Sequence, residues 1–232
     1  YYQGRDKSHG IDHVILVYKN TKKITKNMKI SDRYKAIVFA AALLHDAYDH
    51  KYVKEKDLSK IITKIKKDLL SIKFTGKDCQ LILKIIDNIS YSKEKKLRKK
   101  GIKINLGSLQ KYRNIVSDAD KLEALASDGV IRMIHYYCHH KPDATVEEHI
   151  KHIRDHCDEK LYILIKEKYI RTRIGRELAK DRLLKLKKIV DNDKVLLRYI
   201  TKHSKNACKW ILYHKILAIR IYKKIDKYQK NW

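Results

Sequence analysis

Three short stretches of the chain carry side chains suited to chemistry. His13 follows an apparent helix start at Gly10–Ile11, the pair His45-Asp46 ends the most apolar stretch of the sequence, and Asp118 and Asp120 sit inside the apolar run from Ile115 to Leu122. Imidazole and carboxylate together suit a first-row divalent ion. Hydrolysis of a phosphate ester asks for such ligands, a coordination position left for water, and a rigid frame. An ionised aspartate in an apolar helix is unfavourable unless it is paired or bound to metal. Asp118 and Asp120 therefore demand partners, and the two histidine segments can provide them. The two aspartates are about 200° apart around a helix. Both do not easily face one ion, and spacing alone leaves open which is the ligand.

The elements that must hold these groups read as helices. One proline, Pro142, and seven glycines leave few interior breakers. Val14, Val17, Thr21 and Ile24 recur at three- to four-residue spacing, giving an apolar stripe on a helix from about Ile11. Asp32 is a candidate cap for a second helix whose body, Tyr34 to Leu44, is apolar nearly all round and belongs at the centre of the fold. A third helix is expected near Asp57 to Lys73, and a fourth from Thr75-Gly76 to about Ser90. The charged stretch Tyr91 to Ser108, with Gly101 and Gly107, reads as a mobile loop. From Ser108 a long helical segment is expected through Asp120 toward Tyr137, then a turn at Pro142-Asp143. A capping box at Thr145 to Glu148 opens a further helix, with periodicity continuing to Val190. The expected fold class is all-α, a helical bundle over 1–191 followed by a basic helical extension over 192–232.

Charge and composition narrow the partners. Lys and Arg number 55 against 27 acids, so the net charge is +28, and the field attracts nucleotides, nucleic acid or anionic surfaces without choosing among them. No apolar run approaches the roughly 20 residues of a membrane span. Cys79, Cys138, Cys157 and Cys208 lie far apart without a CxxC pair, and are expected as reduced thiols of an intracellular, cytoplasmic protein. The sequence begins at Tyr1 rather than methionine, so an N-terminal extension, and with it targeting, is left open. A second cluster comprises His135, Cys138, His139, His140, His149, His152, His156 and Cys157. His149, His152 and His156 share a helical stripe that can hold zinc, but no finger spacing results, and polar histidines lining a surface or cleft are the expectation.

Taken in order, these segments resemble the HD-domain metal-dependent phosphohydrolase superfamily, in a subgroup that includes small bacterial and eukaryotic nucleotide pyrophosphohydrolases. Ser8 to Val14 resembles its first histidine segment, and Leu43 to Tyr52 its HDxxDxK segment. Asn88 to Ser92 is similar to its aromatic-serine segment, and Val116 to Leu125 to its DAD(R/K)LdAl helix. His156 to Leu161, with Thr172, Gly175, Ala179 and Arg182, is similar to its closing segment. The resemblance covers about Ser8 to Val190.

It implies His13, His45, Asp46 and Asp120 as ligands of a divalent ion, with Mn, Fe, Co, Ni or Zn better suited than Mg to this donor set. It further implies Asp49 as the group that orients or deprotonates the attacking water, and Lys51, Lys121 and Lys160 as substrate-binding candidates that neutralise phosphate oxygens. The activity implied is hydrolysis of a phosphate ester or anhydride, with a nucleotide or other phosphorylated small molecule as partner. The alternative is a nucleic-acid-binding protein, with the basic extension and its interleaved aromatics gripping phosphate backbones and the HD site secondary.

Overall fold

The structure, a computed structural model, describes residues 1–2, 10–50, 52–125 and 127–204. Lys51 and residues 205–232, most of the expected basic extension, lie outside them. The fold is all-α, with no strand among the described residues.

The helices are α1 (Ile11–Thr25), α2 (Asp32–Leu44), α3 (Glu55–Ser71), α4 (Gly76–Ile86), α5 (Tyr91–Lys99), α6 (Gln110–Ala124), α7 (Ser127–His140), α8 (Val146–His156), α9 (Tyr162–Lys166), α10 (Arg173–Val190) and α11 (Asp193–His203). A 3-10 turn, Gly107–Leu109, precedes α6, and a π-helical turn, Cys157–Leu161, joins α8 to α9.

The chain forms two compact units. The first holds Tyr1–Glu123 and Ile170–Glu177; the second holds Ala124–Tyr169 and the described residues from Leu178 onward. In the first, α1 and α4 both pack on α2, and α3 packs on α4. Its core is built from Val14, Val17, Ile37, Val38, Ala41, Ile82, Ile115 and Leu122, each 1% exposed or less. The stripe expected on α1 is thus its buried face, whereas α2, expected to be apolar nearly all round, buries Ile37, Val38, Ala41 and Ala42 and leaves Leu43 exposed. In the second, α11 packs on α7 and α8, around Val130, Ile134, Ile153, Leu196 and Ile200. The boundary drawn at 191/192 from composition does not coincide with these units. Residues 193–203 supply apolar side chains to the second core, and their lysines obscure that contribution in a composition count.

Four local expectations change. Residue Asp32 is the first residue of α2 rather than its cap: Ser31 is the cap, and the Asp32 carboxylate accepts from Lys35 Nζ at 3.1 Å. The stretch expected to be a mobile loop contains α5, opened by Ser90, whose side chain accepts from the Lys93 amide. What holds α5 is Glu94, a single acid in a lysine run, 1% exposed and paired with Arg113 at 2.7 Å and Arg171 at 2.5 Å. The expected cap Ser108 falls inside the 3-10 turn, after Gly107 in the left-handed region at φ 58°. The segment expected to run on to Tyr137 is two helices, because the chain turns after Ala124. A Cβ on Gly129 would stand 2.1 Å from the Ala124 carbonyl oxygen, so this turn admits only glycine there. The Thr145–Glu148 capping box forms as read. Thr75 makes a second such box with Asp78 at the start of α4.

Candidate metal centre

The site lies within the first unit and draws on three elements. His13 stands on the first turn of α1, and its apolar neighbours Val14 and Val17 turn that face inward. The chain leaves α2 at His45, and Asp46 opens the turn that follows, where Ala47 and Asp49 donate backbone N–H groups to Leu44 and Asp46 carbonyls. Asp120 comes from the last turn and a half of α6. Asn20, buried on α1, donates to the Ala119 carbonyl at 3.0 Å and fixes α1 against α6 beside the site.

Four donor atoms converge. His13 Nε2 and His45 Nε2 are 3.0 Å apart. Asp46 Oδ2 is 3.5 Å from the first and 3.4 Å from the second. Asp120 Oδ1 is 3.5 Å and 3.8 Å from them. Ligand atoms of His13, His45 and Asp46 all lie within 4.8 Å of one another, and among the described residues no other cluster of histidine, cysteine and carboxylate has this closeness. Donors each about 2.1 Å from an ion are roughly 3.0–3.4 Å from one another in octahedral or tetrahedral arrangement; the separations among His13, His45 and Asp46 are close to this, and Asp120 approaches both histidines from outside that three-residue group.

The outer nitrogens decide which imidazole atoms face inward. His45 Nδ1 is 2.8 Å from the Ala42 carbonyl, and His13 Nδ1 is 3.4 Å from Glu123 Oε2, an ion-pair separation without hydrogen-bond geometry. A proton on each Nδ1 leaves a lone pair on each Nε2, and two lone pairs facing each other at 3.0 Å call for a cation between or beside them. The donor set fits a divalent metal on this ground. Burial works against a charged His45, but Asp46 and Asp120 outweigh it and raise its affinity for a proton. Burial likewise works against the Asp46 carboxylate, yet the imidazoles of His45 and His13 hold it well below the ordinary carboxylate range. The histidines are buried, whereas the Asp120 side chain is 30% exposed and marks the open side.

The structure separates Asp118 from Asp120. Asp118 is buried and accepts from the backbone amides of Arg171 and Thr172, at 3.0 and 2.6 Å, and from Thr172 Oγ1 at 2.7 Å. Thr172 Oγ1 accepts in turn from the Gly175 amide at 3.0 Å and so caps α10. A Cβ on Gly175 would come within 2.4 Å of Thr172 Oγ1 and 2.8 Å of Asp118 Oδ2. Thr172 and Gly175, noted only as part of a closing segment, are thus the packing and capping partners of Asp118.

The remaining candidates are placed unequally. Asp49 sits in the turn after Asp46, its side chain 24% exposed and Oδ1 3.3 Å from His50 Nδ1. Lys121 is buried with its ammonium on Ser117 Oγ and 3.7 Å from Glu94 Oε2, so it faces the interior rather than an open cleft. Burial, then Arg113, pushes its pKa down to about 8. Lys160 lies half-buried on the π-helical turn of the second unit. Lys51 lies outside the described residues.

Two residues were missed by sequence reasoning. Glu123, 2% exposed, stands behind His13; its one readable signal is a carboxylate three residues past Asp120 on an apolar helix. Glu94 collects Arg113, Arg171, Arg98 and Lys121. Burial raises its pKa, but Arg113 and the other cations lower it to about 2.

The second histidine cluster does not assemble as a metal site among the described residues. His149 is fully buried with Nε2 3.8 Å from Cys138 Sγ, and His152 stacks on Tyr137 with ring centroids 4.1 Å apart. His149 is therefore a core residue, contrary to the expectation of a surface or cleft lining. The described cysteines Cys79, Cys138 and Cys157 are free and buried, and Cys208 lies outside the described residues. No described helix is long and apolar enough to cross a membrane.

No protein-family model matches the chain, and no curated protein does. Solved structures do. A Lactobacillus plantarum protein determined as a structural-genomics target is 24% identical, with 79% of this chain and 85% of that one covered and a TM-score of 0.58. Bacillus subtilis YpgQ in complex with ADP is 22% identical, with coverage of 88% and 92% and a TM-score of 0.56. The selenomethionine form of YpgQ is 23% identical, with coverage of 84% and 87% and a TM-score of 0.55. At these identities the likeness establishes the fold, which the chain shares along most of its length.

Proposed function

We propose that the protein is an HD-type metal-dependent phosphohydrolase acting on a nucleotide. The observation that carries this reading is the convergence of His13, His45, Asp46 and Asp120, with both Nε2 atoms turned inward and His45 Nδ1 held by the Ala42 carbonyl. Support for a nucleotide comes from the ADP held by YpgQ, which shares the fold, and from the +28 charge of the chain.

In this reading the four side chains hold a divalent ion, Mn, Fe, Co, Ni or Zn. When bound, the ion supplies Lewis acidity toward a phosphoryl oxygen and acidifies a coordinated water. Asp49, in the turn after Asp46, orients the attacking water and takes its proton. Asp120, on the open side, leaves room for substrate. Lys51, which lies outside the described residues, is the lysine proposed to offset phosphate charge. Lys121 keeps its proposed proximity to the chemistry only indirectly, by anchoring the helix that carries Asp120.

The test is a panel of nucleotides with Mn, Co, Ni and Mg, reading phosphate and pyrophosphate release, beside His45→Ala and Asp46→Ala. Either substitution is expected to abolish metal binding and turnover. Unchanged metal content with intact turnover in both, or no release from any nucleotide with any metal, overturns the proposal.

A further inference from the structure

Resting on the metal-centre reading above, we propose that Glu123 is the positioning residue of this centre, fixing the tautomer and orientation of His13 from behind.

Glu123 and Asp120 lie on one face of α6, three residues apart. The helix that provides a ligand therefore also provides a support for another ligand. The Glu123 carboxylate is 2% exposed, and a buried carboxylate is unfavourable without a partner. The cation two residues before it, Lys121, is directed to Ser117 and Glu94. His13 Nδ1 is 3.4 Å from Glu123 Oε2, an ion-pair separation that a small ring rotation would turn into a hydrogen bond, while Nε2 of the same ring faces His45, Asp46 and Asp120. The imidazole of His13 thus stands between the Glu123 carboxylate and the donor cluster.

A carboxylate that accepts the Nδ1 proton places the lone pair on Nε2, holds the ring plane and strengthens Nε2 as a donor. His45 receives the same service from a neutral acceptor, the Ala42 carbonyl at 2.8 Å. One imidazole is backed by a full negative charge and the other by a dipole. The Asn20 bond to Ala119 keeps α1 in register with α6, so that His13 and Glu123 stay opposed.

The experiment compares wild type, Glu123→Leu and Glu123→Gln. Imidazole nitrogen shifts of His13, assigned by their loss in His13→Gln, report the tautomer in metal-free protein at mildly alkaline pH. Calorimetric titration with Mn and Co reports affinity, and thermal melting of the metal-free protein reports stability. Wild type is expected to carry the proton on Nδ1. Glu123→Leu is expected to lose that preference and about 10–100-fold in metal affinity. Glu123→Gln, which keeps an acceptor but not the charge, is expected to retain the tautomer with an intermediate affinity. An unchanged tautomer in Glu123→Leu overturns the proposal, as does wild-type affinity in Glu123→Gln, which decides the matter if the leucine variant does not fold. A wild type that binds none of these metals refutes the metal centre instead, and the tautomer comparison then decides the Glu123–His13 link alone.

Discussion

Asp118 and Asp120 stand two residues apart on α6 and serve opposite sides of it: Asp120 Oδ1 is 3.5 Å from His13 Nε2, while Asp118 Oδ2 accepts from the Thr172 amide at 2.6 Å. One faces the histidine cluster and the other holds the segment entering α10.

The two are expected to fail differently. Asp120→Asn should lose metal with little change in the stability of the metal-free protein. Asp118→Ala strands the Arg171 and Thr172 amides and should cost roughly 3 kcal/mol, with metal content per folded molecule retained. Urea unfolding and elemental analysis on both variants check this. Metal loss confined to Asp118→Ala would reverse the assignment.

Replacing Asp49 by asparagine keeps its size and removes the basic carboxylate. Metal content should hold while turnover drops by roughly 10²-fold or more, the loss expected for a general base. Metal loss as deep as that of Asp46→Ala would make Asp49 a ligand, and full turnover would make it a surface residue.

Glu94→Gln leaves Arg113, Arg171 and Lys121 without their shared carboxylate. A buried charge deprived of its partner is destabilising by roughly 3–5 kcal/mol. Chemical denaturation should register a loss of that order. A change below about 0.5 kcal/mol, as for an ordinary surface substitution, would return the stretch to the solvated loop its composition suggests.

The second unit should be sensitive to acid. Burial, and then His152, pushes the His149 imidazole down to about 4; burial, and then Lys160, does the same to His156. In the unfolded chain these groups take up protons near pH 6.5. Between about 6.5 and 4 the unfolded state thus binds more protons, so stability is fully present above the upper limit and falls with pH through this window. Urea midpoints measured across it should decline, and the decline should be shallower in His149→Gln. Parallel profiles for the two proteins would exclude His149 as a source of the acid sensitivity.

The sequence by itself determined the helical class and the three segments that supply the candidate ligands. Helical periodicity and the scarcity of Pro and Gly act locally, and His13, His45-Asp46 and the aspartate pair are conspicuous because ionisable groups adjoin apolar stretches. Helical pitch also required that Asp118 and Asp120 diverge. Which of them faces the histidines was decided only by tertiary structure, through the Arg171 and Thr172 amides that arrive from far along the chain. The same holds for Glu94 and Glu123. Each reads in sequence as one acid on a charged or mixed helix, and only the tertiary structure brings Arg113 and Arg171 to the first and sets the second behind His13. Charge pairing acts over a few ångströms in space, so residues distant in sequence decide whether a carboxylate is solvent-facing or buried and bound.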